Sequence, residues 1–316
     1  MHVCCGAYEH GLFGGVPRYD NQIKMTFPSR IIVRNKPELM HALSNFPNVR
    51  VIVDNHYALL VPQEVPCIIV HHGCAQEHII RAPNRMDLLE LAEAQRSIWQ
   101  YRASKNTKVI SISQFCTDMF TKHYALDYPH FRNILLPHCS EHASMGVAWS
   151  YTPRDTDQAI MVLGNFKGSS KGEQRMRAVE SLSNGRISLC ALSVQPMNLG
   201  SWAIQEFEER KARIYTQYDV FLQLSVFEGD SYATLDALCL GMPVVATDTG
   251  AFYKDVPEDC FVKVAWDAHP EEVCHAIFEA RMRSHELSKK ALDYCKMHRD
   301  FAAWQAKMRE VVLEQN

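Results

Sequence analysis

The sequence contains no apolar run approaching the roughly 18 residues of a membrane-spanning helix, and no charged-then-apolar leader at its start. It has no CxxC pair; its 11 cysteines are odd in number and scattered. Secreted disulfide frameworks are short and regularly spaced, so these cysteines are expected to be reduced thiols. Charge is nearly balanced, 33 Lys+Arg against 36 Asp+Glu in 316 residues. That argues against nucleic-acid binding through a broad basic surface. There is no internal repeat and no low-complexity tract. With 47% hydrophobic residues, the composition excludes a disordered or fibrous chain. The expectation is a soluble cytoplasmic protein, and its length suits two domains of about 100–200 residues each.

Short β-branched apolar runs alternate with longer segments of helical period. The first set is 30–34 (RIIVR), 50–54 (RVIVD), 67–71 (CIIVH), 108–113 (KVISIS) and 133–137 (NILLP). The second is 159–164 (AIMVLG), 187–192, 219–224 (DVFLQL), 243–247 (PVVAT) and 260–264. An earlier strand over 1–5 carries Cys4 and Cys5, expected as small buried apolar residues. Strands apolar at every residue are buried on both faces, as in parallel sheets covered by helices. The alternation therefore predicts an α/β protein with two parallel sheets. The pattern fades over 141–157 (EHASMGVAWSYTPRDTD), where Pro, Ser and charged residues cluster, and the seam is expected there. Residues 86–104 read as an amphipathic helix, with Leu88, Leu89, Leu91 and Ala92 apolar and Arg85, Arg96 and Arg102 polar. Such a helix covers a sheet; the same pattern also suits weak peripheral contact with a membrane.

Ligands of open α/β sheets bind beyond the carboxyl ends of strands, often at helix N-termini. Four strand ends carry suggestive polar groups. After the first strand comes GLFGGVPR, where adjacent Gly14 and Gly15 allow close backbone approach to a ligand. This is no G-x-G-x-x-G fingerprint, so a nicotinamide-type dinucleotide site is poorly supported. The run CIIV ends in His71 and His72, able to hydrogen-bond sugar hydroxyls or orient a reacting group. With Cys74 and His78 they match no zinc ligand spacing. The run AIMVLG ends at Gly164 and leads through Asn165, Lys167 and Lys171 to a helix. Glycine, serine and two lysines before a helix suit a diphosphate, although the order of Lys171 and Gly172 is not that of a Walker A loop.

The fourth end is the most informative. A strand closing at Ser225 is followed by a turn with Glu228 and Gly229, then by a helix over 231–240 with Asp236 inside it. Gly241 suits the position just past that helix, and Pro243 opens the next strand. Two carboxylates separated by seven residues can bind hydroxyls at separate points of one extended ligand.

Residues 219–250 resemble the donor-binding segment of family 4 retaining glycosyltransferases of the GT-B fold. That segment runs roughly D-V-F-V-x-P-S-x-x-E-G-F-G-L-x-x-L-E-A-x-A-x-G-x-P-V-V-A-T. Its Glu-x7-Glu pair becomes Glu228 and Asp236. Other landmarks follow in order: the Gly14-Gly15 loop, the strand ending in His71 and His72, VISISQFCTD, ILLPH ending at His138, the loop from Gly164 to Gly172, and the helix beginning DFAAW. The resemblance implies two Rossmann-like domains facing a cleft. An acceptor-binding domain would span 1–145, with a helix over about 298–316 packing back on it, and a nucleotide-sugar-binding domain would span 146–297. It implies metal-independent, retaining transfer from a UDP- or GDP-linked sugar to a glycan or lipid-linked acceptor, with no other cofactor. In that scheme Glu228 holds donor-sugar hydroxyls, Asp236 the ribose, and Lys171 meets the leaving diphosphate. Main-chain N–H groups of Asp230, Ser231, Tyr232 and Ala233 approach the sugar or phosphates.

Departures from the pattern are specific. Asn165 stands in place of the family's arginine, with Lys167 nearby to supply charge, and Asp236 is one methylene short. Asp230 replaces an apolar residue, and its charge is expected to suit the helix dipole but repel phosphate. Two alternatives remain open at this point: another GT-B chemistry such as nucleotide-sugar epimerisation, and an inactive nucleotide-sugar or glycan-binding module.

Overall fold

The computed structural model describes residues 3–6, 15–46, 48–54, 58–102, 107–124, 131–144, 158–164, 169–191 and 213–314. The strands are β1 (Val3–Gly6), β2 (Ile31–Val33), β3 (Arg50–Asp54), β4 (Cys67–His71), β5 (Thr107–Ser111), β6 (Phe131–Leu135), β7 (Ile160–Gly164), β8 (Ile187–Ala191), β9 (Val220–Gln223), β10 (Val244–Thr247) and β11 (Val262–Val264). Between and after them lie α1 (Gly15–Thr26), α2 (Lys36–Asn45), α3 (Ala75–Arg81), α4 (Leu89–Arg102), α5 (Gln114–Tyr124) and α6 (Glu173–Leu182). Then follow α7 (Tyr232–Cys239), α8 (Ala251–Lys254), α9 (Pro270–Met282), α10 (Ser284–His298) and α11 (Phe301–Leu313).

Two sheets form, in the orders β2-β1-β3-β4-β5-β6 and β11-β10-β9-β7-β8, and every pairing is parallel. The predicted continuous apolar runs are these strands: all residues of β4, β5, β9 and β10 are buried. In the second sheet the side chains of both faces enter separate apolar clusters. Phe221, Val244 and Ala246 point into one, and Val220, Leu222 and Val245 into the other. In each sheet the chain first moves outward, then returns to the far side of its first strand. The order therefore reverses between β1 and β3, and again between β7 and β9. Such reversals open the crevice in which doubly wound sheets bind ligands.

The chain divides into two compact units, Met1–His138 with Trp304–Asn316, and Cys139–Ala303. The division thus falls at Cys139 and Ala303 rather than at the expected 145/146 and 297/298. Hydrogen bonds give the reason: the Ser140 hydroxyl donates to Asp236 Oδ1 at 2.7 Å and the Ser140 N–H to the Arg299 carbonyl at 3.0 Å. In the first unit Trp304 of α11 meets the Tyr19 ring edge-on at 5.6 Å. Lys108 Nζ donates to the carbonyls of Val311 at 3.3 Å and Glu314 at 2.9 Å, near the end of α11.

The helix expected over 86–104 is a 3₁₀ turn (Met86–Leu88) followed by α4. Its apolar face differs from the expectation. Ala92, Gln95, Ile98, Trp99 and Arg102 are buried, whereas Leu89 is exposed. Arg102 belongs inside because its guanidinium donates to the carbonyls of Val61, Pro62 and Val65. Nearby, buried Glu77 accepts from Arg81, Lys122 and His123 at 2.9, 3.0 and 2.7 Å. Burial works against its charge, but these three partners outweigh it and hold the carboxyl down at about 2. A depressed carboxyl stabilises the fold above its ordinary pKa, and that contribution is lost as pH falls toward about 2. Glu77→Gln is therefore expected to lower stability at neutral pH and to flatten the acid limb between about pH 4.5 and 2, measured by urea unfolding.

Cys4 and Cys5 fall in β1, but their side chains lie outside the described residues. Each cysteine side chain that is described is a free thiol. Among the described residues no helix is long and apolar enough to cross a membrane.

Candidate functional site

The carboxyl ends of β7 and β9 are adjacent, since Gly164 pairs with Leu222. The segments leaving them carry Lys171 and Glu228, and the structure brings the two together. Lys171 Nζ donates to Glu228 Oε1, which also accepts from Ser225 Oγ at 2.6 Å. Both side chains keep access to solvent. The Lys171 ammonium is the more exposed partner, and the Glu228 carboxylate is mostly buried.

Backbone fixes both partners. The Val226 N–H donates to the Ser170 carbonyl at 3.0 Å, tying the Lys171 segment to the end of β9. Gly172 has φ +82°, and a Cβ there would meet the Leu224 carbonyl oxygen at 2.6 Å; only glycine fits. Gly250, φ +56°, backs onto the Gly229 carbonyl, where a Cβ would come to 2.9 Å. Below the loop, Thr247 Oγ1 donates to the Ser225 carbonyl at 2.7 Å. The buried Gln223 side chain accepts from the Thr247 N–H at 3.1 Å.

Helix α7 begins as expected. Ser231 is its N-cap, accepting from the Thr234 N–H at 3.5 Å and the Thr234 hydroxyl at 2.9 Å. Tyr232 is buried in the core, and the Ala233 carbonyl accepts from Tyr215 Oη at 2.9 Å. The two acids flanking this helix start are engaged elsewhere. Asp230 Oδ2 accepts from Arg299 Nη1 at 3.0 Å, both side chains being sealed from solvent at 1% and 0% exposure. This corrects the expected phosphate repulsion, because the guanidinium neutralises the carboxylate on the spot. Burial opposes the Arg299 charge, yet Asp230, with Tyr294 and Asp255, holds it more firmly protonated than an ordinary arginine. Asp236 has no exposed surface, and Ser140 holds its Oδ1.

Gly164 is buried at the end of β7, Gly229 is buried on the turn, and Gly15 opens α1. Gly14, Asn165 and Lys167 lie outside the described residues. His71 is wholly buried, its ring edge-on to Phe120 at 4.7 Å and to Trp99 at 6.5 Å. Burial, with His72 adding to it, pushes its pKa down to about 3. The ring is neutral and walled in, so we assign His71 to packing rather than to a reacting group. His72 is half-buried, with Tyr19 edge-on at 4.9 Å and His138 at 6.3 Å. Among the described residues no group of three or more His, Cys, Asp or Glu side chains is set to hold a metal ion.

No protein-family model and no curated protein sequence matches the chain. Solved structures do. Sucrose-phosphate synthase from Thermosynechococcus elongatus superposes with a TM-score of 0.75 at 12% identity, covering 98% of each chain. WaaG, a glycosyltransferase involved in lipopolysaccharide biosynthesis, gives 0.64 at 15% identity over 99% of this chain and 100% of its own. The fold is GT-B. Anabaena HepE, solved in complex with UDP and glucose, is similar to this GT-B chain with a TM-score of 0.64 at 11% identity over 99% of both. Ser140 and Arg299 were missed from sequence, because nothing local marks a serine or an arginine as the partner of an acid 96 or 69 residues away.

Proposed function

We propose that the chain is a glycosyltransferase that moves a sugar from a UDP- or GDP-linked donor to a hydroxyl of a glycan or lipid-linked acceptor. The observation that carries this reading is the Lys171–Glu228 pair at the β7/β9 reversal of a GT-B chain. The likeness to HepE, whose solved complex holds UDP and glucose, supports it. In this reading the donor diphosphate draws the Lys171 ammonium from Glu228, and the released carboxylate accepts hydroxyls of the donor sugar. The N–H groups at the start of α7 add positive potential at the phosphates. The leaving diphosphate is thus stabilised without a metal ion.

Transfer proceeds with retention. The bond from the anomeric carbon to the diphosphate oxygen breaks, and the acceptor oxygen bonds that carbon on the same face. The acceptor proton passes to the departing phosphate oxygen, so no protein nucleophile is needed. Asp236 takes the ribose, as its place in the motif implies, in exchange for part of its bond with Ser140.

The test is a panel of nucleotide sugars incubated with and without acceptor. Acceptor-dependent release of nucleotide supports transfer. Interconversion of sugars without acceptor replaces this reading with epimerisation, and binding without turnover replaces it with a module. Lys171→Ala should weaken calorimetric binding of the matching nucleoside diphosphate about tenfold or more, the worth of one charge-assisted contact. Binding of the bare nucleoside should be unchanged; equal losses for both ligands would remove Lys171 from the phosphate site.

A further inference from the structure

The chain passes between its two units twice, at His138–Cys139 and at Ala303–Trp304. The residues just inside the second unit at these crossings are joined to each other. The Ser140 N–H donates to the Arg299 carbonyl at 3.0 Å, and Ser140 bridges Asp300 in parallel. Asp300 in turn caps α11, accepting from the Ala303 N–H at 2.8 Å. Each crossing also sends one side chain to the donor loop. Ser140 reaches Asp236 inside α7, and Arg299 reaches Asp230 just before it. The two acids that flank the start of α7 are thus both held by crossing residues.

We infer that Ser140 and Arg299 are positioning residues that couple the segment from Glu228 to Asp236, a loop running into α7, to both crossings of the chain. This rests on the proposed donor site only for its consequence, that a nucleotide engaging Asp236 is felt at the crossings. The coupling itself is physical and independent of ligand. Arg299 Nε donates to Tyr294 Oη at 3.0 Å, and Tyr294 Oη donates to the Asp255 carbonyl at 3.1 Å. Arg299 is therefore held on two sides, by Tyr294 and by Asp230. A desolvated ion pair contributes little net stability compared with apolar residues of the same volume, and its best-attested use is to specify one arrangement. Ser140 is the adjustable member, because its hydroxyl shares Asp236 with any ribose that arrives.

The experiment is amide hydrogen exchange on the full chain, in Ser140→Ala and Ser140→Thr, with and without UDP or GDP. Without nucleotide, Ser140→Ala should speed exchange about tenfold both at 139–144 and at 231–240, since one bond to a buried carboxylate is lost. Ser140→Thr, which keeps the hydroxyl, should restore both. Acceleration confined to 139–144 would overturn the coupling. In the parent protein, nucleotide should alter exchange at 139–144 and 299–303, and Ser140→Ala should abolish this response while Thr keeps it. A nucleotide that binds yet leaves both crossings unchanged would also overturn the inference. If neither UDP nor GDP binds the parent protein, the donor reading fails, and the nucleotide-free comparison still decides the coupling.

Discussion

Glu228→Ala is expected to lower acceptor-dependent nucleotide release by about two to three orders of magnitude, the scale on which loss of one preorganised electrostatic contact acts. The fold should survive it. Glu228 lies on a turn, its partner Lys171 reaches solvent, and the turn itself is held by main-chain contacts at Ser170 and Val226. The thermal midpoint should therefore stay within a few degrees of the parent value. Glu228→Gln separates two roles: the amide still accepts from Ser225 but cannot hold an ammonium in place by charge. If turnover in Glu228→Ala equals that of the parent, the proposed donor site does not lie at the β7/β9 end.

The largest stability effect is expected from Arg299→Ala. It strands the Asp230 carboxylate, 1% exposed, without its counter-ion. Removing one partner of a buried pair costs about 3–5 kcal/mol, which for a unit of this size lowers the thermal midpoint by about 10 °C. Replacing both partners together, Arg299→Met with Asp230→Leu, should recover most of the loss because no charge is left buried. Circular dichroism melts of the three proteins measure this directly. A single variant as stable as the parent would mean that Asp230 takes up its proton, or reaches water, at little cost.

Much of this fold is legible in the sequence because strands buried on both faces leave runs such as RVIVD and DVFLQL with no polar alternation. Strand ends shift by a residue or two where the ladder stops before the apolar run does, as at Leu224, which follows β9 but is still buried. The Lys171 and Glu228 positions are legible for a related reason, since glycines and polar residues after a buried strand mark its carboxyl end. What local pattern cannot supply is the partner of a buried charge. Asp230 reads as a helix-start acid facing phosphate until Arg299 is found beside it. Arg102 reads as a polar-face residue until three carbonyls are found around its guanidinium. His71 shows the same limit, since its place in the chain suits chemistry and only the rings of Trp99 and Phe120 reveal that it is enclosed.

The two glycines that back onto the loop, Gly172 against Leu224 and Gly250 against Gly229, set terms for anyone reshaping this loop. A side chain at either position meets main-chain atoms within 3 Å on a backbone that favours glycine, so library members altered there carry strain. Randomising surface-reachable neighbours while leaving both glycines untouched keeps the scaffold and varies only the exposed side chains.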